Sequence, residues 1–438
     1  MKKVKILVLM LVIANLLSGC MFKSGDELLQ APKPSTDYIA LQNKLDLEIS
    51  KGSVYAAADS GSNRATIQLI DIDADAQEEA VAFFRESALS GTFNVVVYKK
   101  VGEQYVDMGR ITGHGSSIDT VEYPKLSPIG AGGIAVSWKI SNQLERGLTV
   151  AKFENGTLEV VLDTQYMSYF IYDIDYDGLD EIFVVNEENG RNFVSMYDMV
   201  DGNMELASTT ELSIEIDTIA RITTGELASG GRAVSLDSRI SGESGLISDV
   251  IALNYENELV NLTTDPESVS GLATFRLLSS YTSKLNTTNY LYIPTVSPMY
   301  GYPADNSNSS NWITTWHMYD VYNSTKSDIY TYHNNAEGWY YALSENQISN
   351  VVVARSTTSN IKITQFQYYI NEKDYVSLFE IYTVPVEDYQ DSQFADGYIK
   401  LGKTTTNVYL ARNLNPQSTV KVLDEQIIEN FNIIGGSN

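Results

Sequence analysis

The chain has 438 residues, with 30 Lys and Arg set against 56 Asp and Glu, for a net charge of −26. That sign opposes the phosphate backbone of nucleic acid and the surface of anionic lipid; it permits cation binding, with simple solubility accounting for most of the charge. One cysteine, Cys20, excludes an intrachain disulfide, so stability must come from burial and from any bound metal.

The chain opens with Lys2, Lys3 and Lys5, then an apolar run from Ile6 to Leu17 broken only by Asn15, then Ser18 and Gly19. Charge, apolar core and small residues in that order predict a secretory signal over residues 1–19. The run is too short to span a bilayer as a helix. Leu17-Ser18-Gly19-Cys20 resembles a bacterial lipobox. The resemblance implies a diacylated Cys20 as the mature N-terminus and an anchor on the extracytoplasmic face of the membrane. Removing residues 1–19 takes three lysines and no acid, which leaves −29. Residues 20–37, with Pro32 and Pro34, predict a tether. Leu41, Leu45 and Ile49 recur every four residues and predict a helix over Tyr38–Lys51, stopped at Gly52.

From Thr66 onward, short apolar runs alternate with clusters of Gly, Asn, Asp and Ser, which is strand-and-turn chemistry. Nine-residue loops start at Asp71, Lys125, Asp173, Thr224 and Lys284, at intervals of 54, 48, 51 and 60 residues. Repeats of this size with three or four strands predict a mostly β fold, a β-propeller of about five to seven blades. A large sandwich with coincidental spacing is the alternative. The repeats occupy residues 38–350 together with the N-terminal helix. Residues 351–438 predict a small C-terminal α+β module, or closing blades, with strands such as Ile361–Tyr369 and Val376–Val384 and a helix over Thr419–Phe431.

The loop 173–181 reads Asp173-Ile174-Asp175-Tyr176-Asp177-Gly178-Leu179-Asp180-Glu181. Carboxylates at positions one, three, five and nine of a tight turn can converge on one hard cation, glycine permits the bend, and the carbonyl at seven can add a ligand. Val184 stands at position twelve, and both flanks are strand-like, so this is no EF-hand. The loop 71–79 repeats the acids as Asp71, Asp73, Asp75 and Glu79, with Ala76 where glycine is expected. Calcium is the expected ion for both loops; a solvated acidic turn is the alternative.

The Asp-x-Asp-x-Asp-Gly-x-x-acid loop between strands resembles the FG-GAP or VCBS repeats of integrin-α-type β-propellers. The resemblance covers residues 66–345 at most, and two of five units carry the motif. It implies structural calcium held by Asp71, Asp73, Asp75, Gln77 and Glu79, and by Asp173, Asp175, Asp177, Leu179 and Glu181. It implies architecture and no particular activity.

Residues 281–341 concentrate tyrosine and three of the four tryptophans. Such residues fill cores or form an exposed ligand platform, for which Tyr300, Tyr302, Trp312, Trp316 and Trp339 are the candidates. His114, His317 and His333 have no metal-ligand spacing, and no nucleophile elbow, phosphate loop or dinucleotide fingerprint occurs. The expectation is a lipid-anchored, non-catalytic binding or scaffold protein for a protein or glycan at the cell envelope. A carbohydrate-active enzyme (glycosidase or lyase) is the alternative. Cys20→Ser is predicted to move the protein from the membrane to the soluble fraction; continued membrane retention contradicts lipidation.

Overall fold

The computed structural model describes residues 36–128, 132–140, 146–242, 245–264, 274–277, 280–285, 289–300, 311–321, 327–371, 374–394, 396–415 and 420–434. The expected signal, Cys20 and nearly all of the tether lie outside them. No helix among the described residues is long and apolar enough to cross a membrane.

The described residues are mostly strand and form six antiparallel sheets of four or five strands. The first sheet contains Val54–Tyr55, Ile67–Ile70, Glu79–Arg85, Thr92–Val101 and Gln104–His114. The second contains Ser117–Glu122, Gly133–Lys139, Arg146–Glu154 and Thr157–Tyr166. The third contains Ser168–Tyr172, Glu181–Glu188, Arg191–Val200 and Asn203–Glu211, and the fourth Ile216–Glu226, Arg232–Ile240, Leu246–Leu253 and Leu259–Asn261. The fifth contains Ile293–Pro298, Trp312–Met318, Ser327–Asn334 and Trp339–Leu343. The sixth begins with Val351–Thr358, Ile361–Asn371 and Asp374–Pro385 and ends with Asn407–Asn413 and Ile399–Lys403.

Tight hairpins follow from local chemistry. Asn155-Gly156, Asn189-Gly190 and Asp201-Gly202 all take positive φ at both residues, the turn that matches strand twist and favours these residue pairs. The continuous apolar runs are interior strands, the third of the first sheet and the second of the next three in chain order. Those of the first four sheets are buried along most of their length on both faces.

Each sheet covers its faces with the next sheet in the chain. Phe83 and Val95 pack on Val136, Trp138 and Phe153. Ala135 and Val150 pack on Ile182 and Val184, and Phe183 and Val194 pack on Val234 and Ile251. Val250 meets Ile293 and Tyr319, and Trp339 and Tyr341 meet Val353, Phe366 and Phe379. Each fully buried aliphatic or aromatic side chain contributes about 1.5–3 kcal/mol. The two ends are capped. Leu45 of the helix Thr36–Ser50 covers Ala80, Ala82 and Phe84. Val386, Tyr389, Phe394 and Tyr398 cover Tyr382, Val384 and Leu410.

Residues 351–413 therefore form a sheet that shares a core with the fifth. The short helix Asp424–Asn430 leads to Phe431–Ile433, which returns to the fifth sheet's edge at Trp339–Tyr341. The fifth repeat also shifts register. Ile293 begins a first strand, so 284–292 precedes the sheet, and the counterpart of the other loops is the connection between Pro298 and Trp312. That region carries no acid at the loop spacing to fix the alignment from sequence.

Trp138 is the wedge between the first two sheets. A Cβ on Gly113 would lie 2.2 Å from its ring, and its indole N–H donates to Thr149 Oγ1 at 2.9 Å. Gly113→Val is predicted to cost about 1–3 kcal/mol by overpacking this contact. A urea midpoint unchanged from the parent contradicts the wedge.

Candidate metal centre

The loop 71–79 connects the strands Ile67–Ile70 and Glu79–Arg85, and the loop 173–181 connects Ser168–Tyr172 and Glu181–Glu188; each pair is hydrogen-bonded in its sheet. Both put left-handed backbone at positions four and six: Ala74 and Ala76 in one, Tyr176 and Gly178 in the other. Ala76 accepts a conformation that favours glycine, so the backbone course survives the substitution. Position two is an isoleucine sunk in the core, Ile72 or Ile174. Position nine is a glutamate at a central strand's first residue, Glu79 at 0% exposure and Glu181 at 1%. Each glutamate Oε2 accepts the N–H of position two, at 2.9 Å from Ile72 and 2.7 Å from Ile174. The acid at nine thus closes the loop as well as pointing a second oxygen into it.

In the loop 71–79, the N–H groups of Asp75 and Ala76 donate to the Asp71 carboxylate, and the Gln77 N–H to Asp75 Oδ1. In the loop 173–181, Tyr176 N–H donates to Asp173, Asp177 N–H to Asp175, and Leu179 N–H to Asp177. Ligand oxygens of Asp71, Asp73 and Glu79 lie within 4.8 Å of one another, and so do those of Asp173, Asp175 and Glu181. Both clusters can hold a metal ion by donor type and spacing.

Their electrostatics differ. Lys99, on the strand Thr92–Val101 that pairs with Glu79–Arg85, places Nζ 2.5 Å from Asp73, 2.8 Å from Asp75 and 3.1 Å from Glu79. Burial pulls the Lys99 ammonium down, but its three carboxylate partners outweigh this and hold it above the usual lysine range. Asp75 is held low by the same lysine. Burial raises Glu79, with the Ile72 N–H and Lys99 opposing.

The third sheet has no such lysine. Tyr98 pairs with Ala80, and Tyr197 pairs with Ile182, so the residues that follow, Lys99 and Asp198, occupy the same place opposite the ninth acid. The register shift on the next strand falls beside the same tyrosine in both sheets. Burial pushes Glu181 up to about 8; the Ile174 N–H opposes the rise, while Asp175, Asp198 and Asp177 add to it. Asp198 is raised too, by burial first and then by Asp175 and Asp177, against the Met199 N–H. Among the described residues, the buried Glu181 Oε1 has no hydrogen-bond partner. Arg232 of the fourth sheet pairs with Asp173 Oδ2 at 2.7 Å and stacks over the Tyr176 ring at 3.9 Å, which engages the rim of the loop.

The loops are tied in a row. Gly132 N–H donates to Ile72 O at 2.9 Å, and Asp180 N–H to Lys125 O at 2.9 Å. Lys125 N–H donates to Asp180 Oδ2 at 2.7 Å, and Tyr176 Oη to Gly230 O at 3.1 Å.

The proposed aromatic platform is largely core. Trp312, Trp316 and Trp339 are buried, Trp339 completely; Trp339 lies in the core shared with the sixth sheet, and Trp316 packs with Leu285 and Tyr292. Tyr300 is exposed and packs at 5.8 Å on Tyr369, which stacks on Tyr375. Tyr302 lies outside the described residues. His317, unpartnered by sequence spacing, joins Thr295 and Asp328 at 2.8 Å each across three adjacent strands. Sequence spacing also misses Lys99 and Asp198; the signal is the residue after the tyrosine in Tyr98-Lys99 and Tyr197-Asp198.

No protein-family model matches the chain, and no curated protein matches it. Among solved structures, the exotype rhamnogalacturonan lyase YesX aligns at TM-score 0.29 and 10% identity over 75% of this chain. The chain spans 65% of that lyase's length. Saccharomyces cerevisiae Sqt1 aligns at TM-score 0.30 and 10% identity, over 83% of this chain and 96% of the other.

Proposed function

We propose that this chain is a calcium-braced, propeller-like array of six sheets, held outside the cell on a lipidated Cys20, and that it acts as a non-catalytic binding or scaffold protein. The observation that carries the calcium reading is the buried Oε1 of Glu181, unpaired among the described residues, beside the loop acids Asp173 and Asp175; the anchor rests on the lipobox resemblance at Leu17–Cys20. A carboxylate taken out of water calls for a positive charge or a proton. The donors are all oxygens, and several are carboxylates on a turn, which suits calcium with its six to eight oxygen ligands and tolerance of irregular geometry.

The row of bonded loops gives the ion a use. A cation at 173–181 ties the turn that bridges the second, third and fourth sheets through Lys125 and Gly230. It would hold that rim rigid for a protein or glycan partner. The exposed Tyr300 and Tyr375, on either side of the half-buried Tyr369, offer ring faces of the kind that sugars and protein surfaces stack on. Sheet faces buried against one another leave these rims and edges as the display surfaces.

A ligand that binds only the folded state at a hundredfold excess over its Kd stabilises by about 2.7 kcal/mol. Calcium added to the EDTA-treated intact protein is therefore predicted to raise Tm by several degrees, and Asp175→Ala with Asp177→Ala to abolish the rise. A melting curve indifferent to both calcium and EDTA contradicts the brace.

A further inference from the structure

We infer that the first sheet carries a cation loop whose ion has been replaced by the chain's own Lys99, and that Asp198 at the matching place in the third sheet is a further cation ligand. Residue 99 against residue 198 thus decides which of two like loops takes metal. The inference rests on the reading of 173–181 as a cation site and assigns its specificity.

The geometry is a matched pair. Both loops keep acids at one, three, five and nine, the same left-handed positions, the same buried isoleucine at two and the same bond from its N–H to the ninth acid. The partner strand keeps its register through Tyr98 and Tyr197. What changes is the charge opposite the ninth acid. An ammonium has three protons in a tripod, and Lys99 aims at three of the acids, from positions three, five and nine. That is the contact a bound cation would make, so the 71–79 loop is filled.

In the third sheet the place is taken by Asp198, half-buried, whose Oδ1 accepts the Met199 N–H at 2.6 Å. A fifth carboxylate beside Asp173, Asp175, Asp177 and the buried Glu181 adds repulsion without a cation and a ligand with one. Of the nearby basic groups, one pairs with an acid of the cluster, at the rim of the loop, and among the described residues none pairs with Asp175, Asp177 or Glu181. Arg232 engages Asp173, and Lys125 Nζ would lie 3.7 Å from a Cβ on Gly178. The other sheets show how specific the exchange is. The second sheet has Lys152 opposite Gly133, where it reaches Gly202 O and Glu154. The fourth has Leu253 beyond the Ala233–Ala252 pair. Neither of those loops holds the acid pattern.

A reciprocal exchange tests this by calcium calorimetry on the intact protein, with circular dichroism as a check on folding. The parent should bind one calcium. Lys99→Asp should bind two, with a Tm that becomes more calcium-dependent. Lys99→Gln, which adds no charge, should bind a second ion more weakly than Lys99→Asp does. Asp198→Asn should weaken the single site by roughly 10- to 100-fold, the range seen when groups supporting a metal site are removed. Asp198→Lys should bind none and stay folded without calcium. A parent that binds none sinks the underlying cation reading. A parent that binds two, or one whose affinity ignores residue 198 and whose count ignores residue 99, overturns the present inference and leaves that reading standing.

Discussion

Two buried glutamates set the terms for the site. Glu79 and Glu181 begin central strands, where both faces are covered, and each has one oxygen bonded to the backbone and one aimed into an acidic turn. A carboxylate in that position must be given a positive charge or keep its proton. The first sheet supplies the charge from its own lysine, and the third supplies more acid instead. On our proposal, that side chain is the difference between a self-contained turn and one that takes a cation.

The sheets make such a site possible. Each has two apolar faces that only a neighbour can cover, so six sheets stack in chain order, with a helix at one end and the 386–398 segment at the other. Stacking in sequence brings successive loops side by side, and hydrogen bonds link Ile72 to Gly132, Lys125 to Asp180 and Tyr176 to Gly230. A charge bound in one loop therefore bears on two neighbouring sheets.

Much of this is legible in the amino-acid order. Apolar runs mark the interior strands Glu79–Arg85 and Glu181–Glu188 because these are buried on both faces, and Asn-Gly and Asp-Gly pairs mark the hairpins because their backbone requires positive φ at both residues. The acidic spacing marks both loops. Lys99 and Asp198 are harder to see, since they face their loops across a strand pairing, twenty and seventeen residues beyond Glu79 and Glu181. The tryptophans mislead for another reason. Composition reports rings, while their exposure depends on which face of the fifth sheet is covered, and Trp312, Trp316 and Trp339 all fall on covered positions. The fifth repeat slips because, without acids, first and second strands start alike.

The most direct test is an anomalous difference map from crystals of this protein grown in calcium. A single peak enclosed by Asp173, Asp175, Asp177, Glu181 and Asp198, with Lys99 Nζ still seated among Asp73, Asp75 and Glu79, is the predicted result. A peak in the 71–79 loop, or none at 173–181, would contradict it.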